Sequence, residues 1–132
     1  METATLEDSF RAALDSDDAG TKLGAVRADR EEIEAALKDM CTALSSVMGR
    51  ENAVVVQPWF TTNEGDGRKV VFRGSDGYEL SVFTLSIPFA GYPVTIHIGD
   101  ETIVAHKGEL EADLERAAMR PVVIAAARSI QE

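Results

Sequence analysis

The sequence has little of what disulfides, membrane spans and most reaction centres require. Among its 132 residues there is one cysteine, Cys41, and there are two histidines. One cysteine excludes an internal disulfide, and a reduced thiol is typical of cytoplasmic proteins. The longest purely apolar runs, 53–56 and 122–127, are far shorter than the roughly 20 residues that cross a bilayer. The first residues are acidic and do not predict a signal peptide, so we expect a cytoplasmic protein.

Basic residues are also scarce, and the net charge is −10. The acidic surplus is spread over the chain instead of forming a tail. Because phosphate contacts need clustered Lys and Arg, we expect no direct binding of nucleic acid or of anionic membranes. An acidic surface suits another protein with a basic surface, although a requirement for solubility also explains it.

No group of residues has the composition and spacing of a known reaction centre. No serine lies in a Gly-x-Ser-x-Gly turn, and no glycine-rich turn leads into a helix in the manner of a phosphate-binding loop. His97 and His106 would lie roughly 13 Å apart on the predicted sheet, too far to share one metal ion. The sequence therefore predicts no catalytic residue, no metal and no cofactor, and it favours a protein that is not an enzyme.

The apolar pattern predicts a single α+β domain over residues 1–132. Alternating apolar residues between tight turns predict a curved antiparallel sheet of five strands, over 53–60, 68–73, 78–87, 94–98 and 101–105. Helical spacing predicts a short N-terminal helix over 5–15, a long helix over 21–48, and a C-terminal helix over 107–130 that is kinked or broken at Pro121. A polar break is expected over 15–20. The helices should cover one face of the sheet and leave part of the other exposed.

Two details of the strand pattern make sharper predictions. The apolar residues of the third strand change from even to odd positions after Val82, which one face of a regular strand cannot accommodate. Either a β-bulge near Val82 or Phe83 bends the strand, or both of its faces are buried there. The two-residue turn after the fourth strand predicts that Ile98 pairs with Glu101.

The long helix carries an apolar seam at heptad-like spacing, which Arg30 interrupts. The candidates for packing or dimerisation along this seam are Ile33, Leu37, Met40, Leu44 and Val47. The helix is about 42 Å long, whereas an eight-residue strand covers about 26 Å, so part of the seam is expected to overhang the sheet. The overhang needs a second surface, either the first helix with Leu6, Phe10 and Leu14 or a second copy of the chain. A monomer and a homodimer both remain open.

Two aromatic segments are the most informative binding candidates. Phe89 and Tyr92 lie between two prolines in the connection 87–93, and Trp59 and Phe60 end the first strand. Aromatic side chains on a stiff loop lose little entropy on docking, which makes them good interface anchors. The alternative is that these side chains fold down and cap the core.

These patterns predict a protein that binds another macromolecule without catalysis, of the inhibitor, immunity or anti-defence, chaperone or adaptor type. The alternative is a small-molecule or nucleotide-binding protein, or a minor enzyme, that uses the open face of the sheet. The residues that we expect to line that face are Tyr78, Arg68, Arg73 and His97.

Overall fold

The computed structural model describes the backbone of residues 2–15 and 17–131 and the side chains of residues 6–12 and 24–131. These residues form four helices and five strands. Their bounds are α1 (Glu2–Asp15), α2 (Asp17–Met48), β1 (Val54–Thr61), β2 (Gly65–Arg73), β3 (Glu79–Pro88), β4 (Val94–Ile98), β5 (Glu101–Ala105), α3 (Leu110–Ala118) and α4 (Pro121–Gln131). None of the described helices is both long enough and apolar enough to cross a membrane.

The strands form one open antiparallel sheet in the order β1-β2-β3-β4-β5, so the predicted α+β class is confirmed. Ile98 pairs with Glu101, as the two-residue turn predicts. The predicted bulge is present at Val82, which has no partner in β2 and lies between the paired residues Ser81 and Phe83. A second irregularity in β1 leaves Trp59 as an extra residue. Bulges bend the strands that contain them, and the predicted curvature of the sheet rests on such bends.

The core lies between one face of the sheet and the helices α2, α3 and α4. Its largest fully buried side chains include Ile33, Leu37, Leu85, Ile96, Leu114 and Val123. Burying one such side chain stabilises the fold by about 1.5–3 kcal/mol before entropy is counted. On the other face, His97, Thr102 and Val104 are exposed, so that face is partly open to solvent.

The apolar seam of α2 packs on the sheet of its own chain. Ile33 and Leu37 are buried, Met40 and Leu44 are half-buried against the core, and Val47 is exposed. The first helix does not cover this seam, because Leu6 and Phe10 are exposed; the side chain of Leu14 lies outside the described residues. Most of the seam therefore packs within its own chain, and dimerisation along it stays a prediction.

Some element bounds differ from the prediction. The structure describes α1 up to Asp15 and α2 from Asp17, so residues 15 and 17–20 of the predicted polar break are helical; Ser16 lies outside the described residues. Helix α2 has 32 residues and is about 48 Å long. β2 begins at Gly65 because the Thr62 N–H donates to the Gly65 carbonyl at 2.8 Å and shortens the loop. The C-terminal helix is broken, with Pro121 as the first residue of α4.

Candidate protein-binding surface

The two aromatic segments meet at the same end of the sheet. Thr61 of β1 pairs with Asp66 of β2, and Gly65 of β2 pairs with Pro88 of β3. The end of β1, the start of β2 and the end of β3 therefore lie together. We call this region, with Trp59, Phe60 and Phe89, the aromatic end of the sheet. The sequence suggests both segments but cannot show that they are neighbours.

Trp59 and Phe60 form an aromatic pair that packs on the sheet. Their ring centroids are 5.2 Å apart with an interplanar angle of 64°, an edge-to-face arrangement. The Phe60 ring lies over Gly67, where a Cβ atom would come within 2.1 Å of the ring. Glycine at this position therefore makes room for Phe60. Even so, Trp59 is 55% exposed and Phe60 is 41% exposed.

The loop that carries Phe89 is fixed by hydrogen bonds on both sides. The Phe89 N–H donates to the Glu64 carbonyl at 2.8 Å, and the Gly91 N–H donates to the Pro88 carbonyl at 2.8 Å. From α2, the Arg30 guanidinium donates to the carbonyls of Pro88 at 3.0 Å and Phe89 at 3.3 Å. The backbone is thus held while the Phe89 side chain stays 68% exposed.

Tyr92 has a different role from Phe89. Its hydroxyl donates to Glu32 Oε1 on α2 at 2.6 Å, and the side chain is half-buried against the core. Burial raises the pKa of Tyr92, and the hydrogen bond to Glu32 raises it further. Tyr92 therefore fastens the loop to the helix, as the core-capping alternative predicts, and Phe89 alone of the two faces solvent.

Arg30 also belongs to an ionic network between α2 and β2. Its Nη2 atom lies 2.7 Å from Asp66 Oδ2, and Arg68 Nη2 lies 2.7 Å from Glu34 Oε1 and 3.8 Å from Asp66 Oδ2. Arg68 pairs with Leu85 across the sheet and so lies on the helix-covered face. Our placement of Arg68 on the open face is wrong, because ion pairs with α2 let this cation lie under the helix.

The other candidates for the open face do not converge. Arg73 forms an ion pair with Glu79 at 2.9 Å, and that hydrogen bond lowers the pKa of Glu79. Tyr78 is exposed beside the turn that joins β2 to β3, at the end of the sheet opposite the aromatic end. His97 lies in β4, with Nε2 3.5 Å from the Ser86 hydroxyl oxygen. The three side chains therefore do not surround one common site.

A groove that the sequence does not reveal runs between the C-terminal half of α2 and β1. Its volume is about 850 Å³, and Leu37, Cys41, Val54 and Val56 supply its apolar lining. Burial raises the pKa of the Cys41 thiol to about 11, so this cysteine is a weak nucleophile near neutral pH.

Among the described residues there is no group of three or more His, Cys, Asp or Glu side chains that could hold a metal ion. The chain matches no protein family model, no curated protein and no solved structure. The aromatic end of the sheet and the groove are the two surface features of the described residues that could bind a partner.

Proposed function

We propose that this chain is a non-catalytic cytoplasmic protein that binds another protein through the aromatic end of its sheet. The observation that carries the proposal is the exposure of Phe89 on a loop whose backbone is held by Arg30 and Glu64. A fixed loop loses little entropy when its side chain enters a pocket, and large aromatic residues dominate the binding energy of most interfaces. Trp59 and Phe60 enlarge the same surface.

The charge around this surface indicates what kind of partner fits. Glu64 is exposed in the turn that receives the Phe89 N–H, and the chain as a whole carries a net charge of −10. A partner with a basic rim around an apolar pocket is complementary to such a surface. Inhibitor, immunity, chaperone and adaptor proteins all act by binding of this kind.

The proposal is tested by affinity capture with the full chain from cells of the organism of origin, with the captured proteins quantified. Phe89→Ser should weaken the capture of a specific partner by about 30-fold or more, since a central aromatic anchor contributes about 2 kcal/mol or more. Tyr78→Ser is the matched control, because it removes an equally exposed aromatic side chain at the opposite end of the sheet. Equal capture by the two variants would contradict the proposal.

The ionic part of the proposal has its own test. Once a partner is captured, its affinity should fall steeply with added salt, because exposed charges are screened over about 10 Å at 0.1 M ionic strength. An affinity that does not change with salt would leave the aromatic surface in place and rule out a basic partner.

A further inference from the structure

We propose that the chain forms a homodimer in which α1 of each copy docks in the groove between α2 and β1 of the other. This proposal is independent of the aromatic end. It starts from two features that lack a partner within one chain: an apolar stripe on α1, and an open groove lined by apolar and basic residues.

The first feature is α1 itself. Leu6 and Phe10, four residues apart and hence on one side of the helix, are 69% and 64% exposed. The helix has 14 residues, and its main contact is with α2. Exposed apolar side chains on one side of a helix form a surface that another protein chain can cover.

The second feature is the composition of the groove. Its apolar residues form one part of the lining, and Lys38, Arg50 and Arg68 supply three cations against the two acids Glu34 and Glu51. Lys38 forms no ion pair within the part of the chain that the structure describes. In a chain of net charge −10, this groove is a place where cations outnumber acids.

Helix α1 is complementary to that groove in charge and in size. It carries four acids, Glu2, Glu7, Asp8 and Asp15, and one base, Arg11. Two turns of a helix sunk to half its width, about 11 Å long and 10 Å across, need roughly half of the groove volume of about 850 Å³. The apolar stripe can therefore face the floor while Glu7, which lies next to the stripe, approaches the basic rim. Asp8 lies on the same side of α1 as Ala12, away from the groove.

The helix cannot reach the groove of its own chain. Along α1, Phe10 and Leu6 lie about 9 and 15 Å from the junction with α2, at 1.5 Å per residue. Along α2, the first groove residue, Glu34, lies about 26 Å from the same junction. Even if α1 folded back along α2, the stripe would end more than about 10 Å short of the groove. If α1 docks in such a groove, the groove therefore belongs to a second molecule.

The free edge of β1 favours a helix over an added β-strand as the occupant. In this antiparallel pairing, Val54, Val56 and Pro58 direct their backbone groups away from β2. The Val54 N–H already donates to Ser45 Oγ at 3.0 Å, and the Ser45 hydroxyl donates to the Val54 carbonyl at 3.4 Å. Pro58 has no N–H, so among these three residues only Val56 offers both groups to another strand. Side-chain packing, not strand addition, suits this groove.

The dimer is tested with the full chain by sedimentation and light scattering over a range of concentrations. The wild-type chain should be a dimer whose dissociation constant rises with added salt, because the contact joins an acidic helix to a basic groove. Phe10→Asp should raise the dissociation constant about 30-fold or more, whereas Ala12→Asp, on the other side of α1, should change it little. Both positions are exposed and outside the core, so circular dichroism should report the same folded core.

A second pair of variants tests the groove. Thr42→Trp fills it from an exposed position on α2 and should prevent dimerisation, whereas Ala43→Trp, the next exposed residue, does not line the groove and should leave the dimer intact. Reciprocal docking also predicts complementation. Phe10→Asp keeps an intact groove and Thr42→Trp keeps an intact α1, so the mixture restores one of the two contacts and should form a heterodimer that neither variant forms alone.

A wild-type chain that stays monomeric at all concentrations would leave the groove to another occupant, such as a small molecule or a helix of a different protein. A dimer that survives Phe10→Asp, that responds equally to Thr42→Trp and Ala43→Trp, or that shows no complementation would assemble through another surface.

Discussion

Replacing Arg30 with alanine should destabilise the fold and release the loop that presents Phe89. The change removes a charge-assisted hydrogen bond to Asp66 at 2.7 Å and the bonds to the two loop carbonyls at 3.0 and 3.3 Å. The Arg30 and Asp66 side chains are 29% and 25% exposed, so the ion pair is partly screened, and Arg68 at 3.8 Å still compensates Asp66. We therefore expect a loss of about 2 kcal/mol in the free energy of unfolding, below the sum of three isolated bonds.

Urea unfolding with a constant m-value measures this loss, and a thermal scan should show a decrease in melting temperature of roughly 8 °C. Arg30→Lys keeps the charge but loses the planar fork, so it should recover only part of the stability. Arg27→Ala is the matched control, one turn earlier on α2 and exposed. Hydrogen exchange of the Phe89 amide should also accelerate in Arg30→Ala before global unfolding. If Arg30→Ala and Arg27→Ala unfold within about 0.5 kcal/mol of each other, the loop is not held as we describe.

Three further predictions concern single residues. Ser45→Ala removes the hydroxyl that satisfies both outward backbone groups of Val54, and should lower the free energy of unfolding by about 1–3 kcal/mol. The control variant Ser46→Ala, at the exposed neighbouring position, should change it by less than about 0.5 kcal/mol. Gly65→Ala would place a Cβ atom 2.1 Å from the Ile87 carbonyl oxygen, a backbone atom that cannot move aside. This variant should therefore lower the free energy of unfolding by at least about 2 kcal/mol, and an unchanged value would contradict the packing at that end of the sheet. Alkylation of Cys41 at pH 8 should be about 100-fold slower than that of a thiol of pKa 9, because the Cys41 pKa of about 11 leaves little thiolate. The alkylation rate should rise about tenfold per pH unit up to about pH 11. A plateau of the rate near pH 9 would contradict the burial of the thiol.

The sheet could be predicted from the sequence because its signals are local. The change of phase at Val82 identifies the bulge, since period-two burial admits no other regular solution on one face. The turn at Gly99 sets the pairing of Ile98 with Glu101 through backbone geometry alone. Pro121 marks the helix break for the same kind of reason, because proline fits the first turn of a helix and disrupts its interior.

The surfaces were less predictable because they depend on residues far apart in the sequence. Arg30 interrupts the apolar seam, and that exception is the signal that could have suggested a partner across the core. The partner, Asp66, is 36 positions away, and no periodicity relates the two. Arg68 is expected on the open face, but its position in β2 is in phase with the buried Val70, which places it on the helix-covered face. The groove beside β1 arises only when α2 and the edge strand meet.

The hydrogen bonds of Ser45 have a consequence for solubility in the cell. An open sheet exposes edges on which strands from unfolded copies can add, and such growth is the first step of aggregation. Here the Ser45 hydroxyl on α2 forms hydrogen bonds with the outward backbone groups of Val54 in β1. Further along the strand, Pro58 has no N–H to donate. Strand addition at this part of the β1 edge is therefore disfavoured by contacts within the fold itself, in the same strand that carries the exposed aromatic pair.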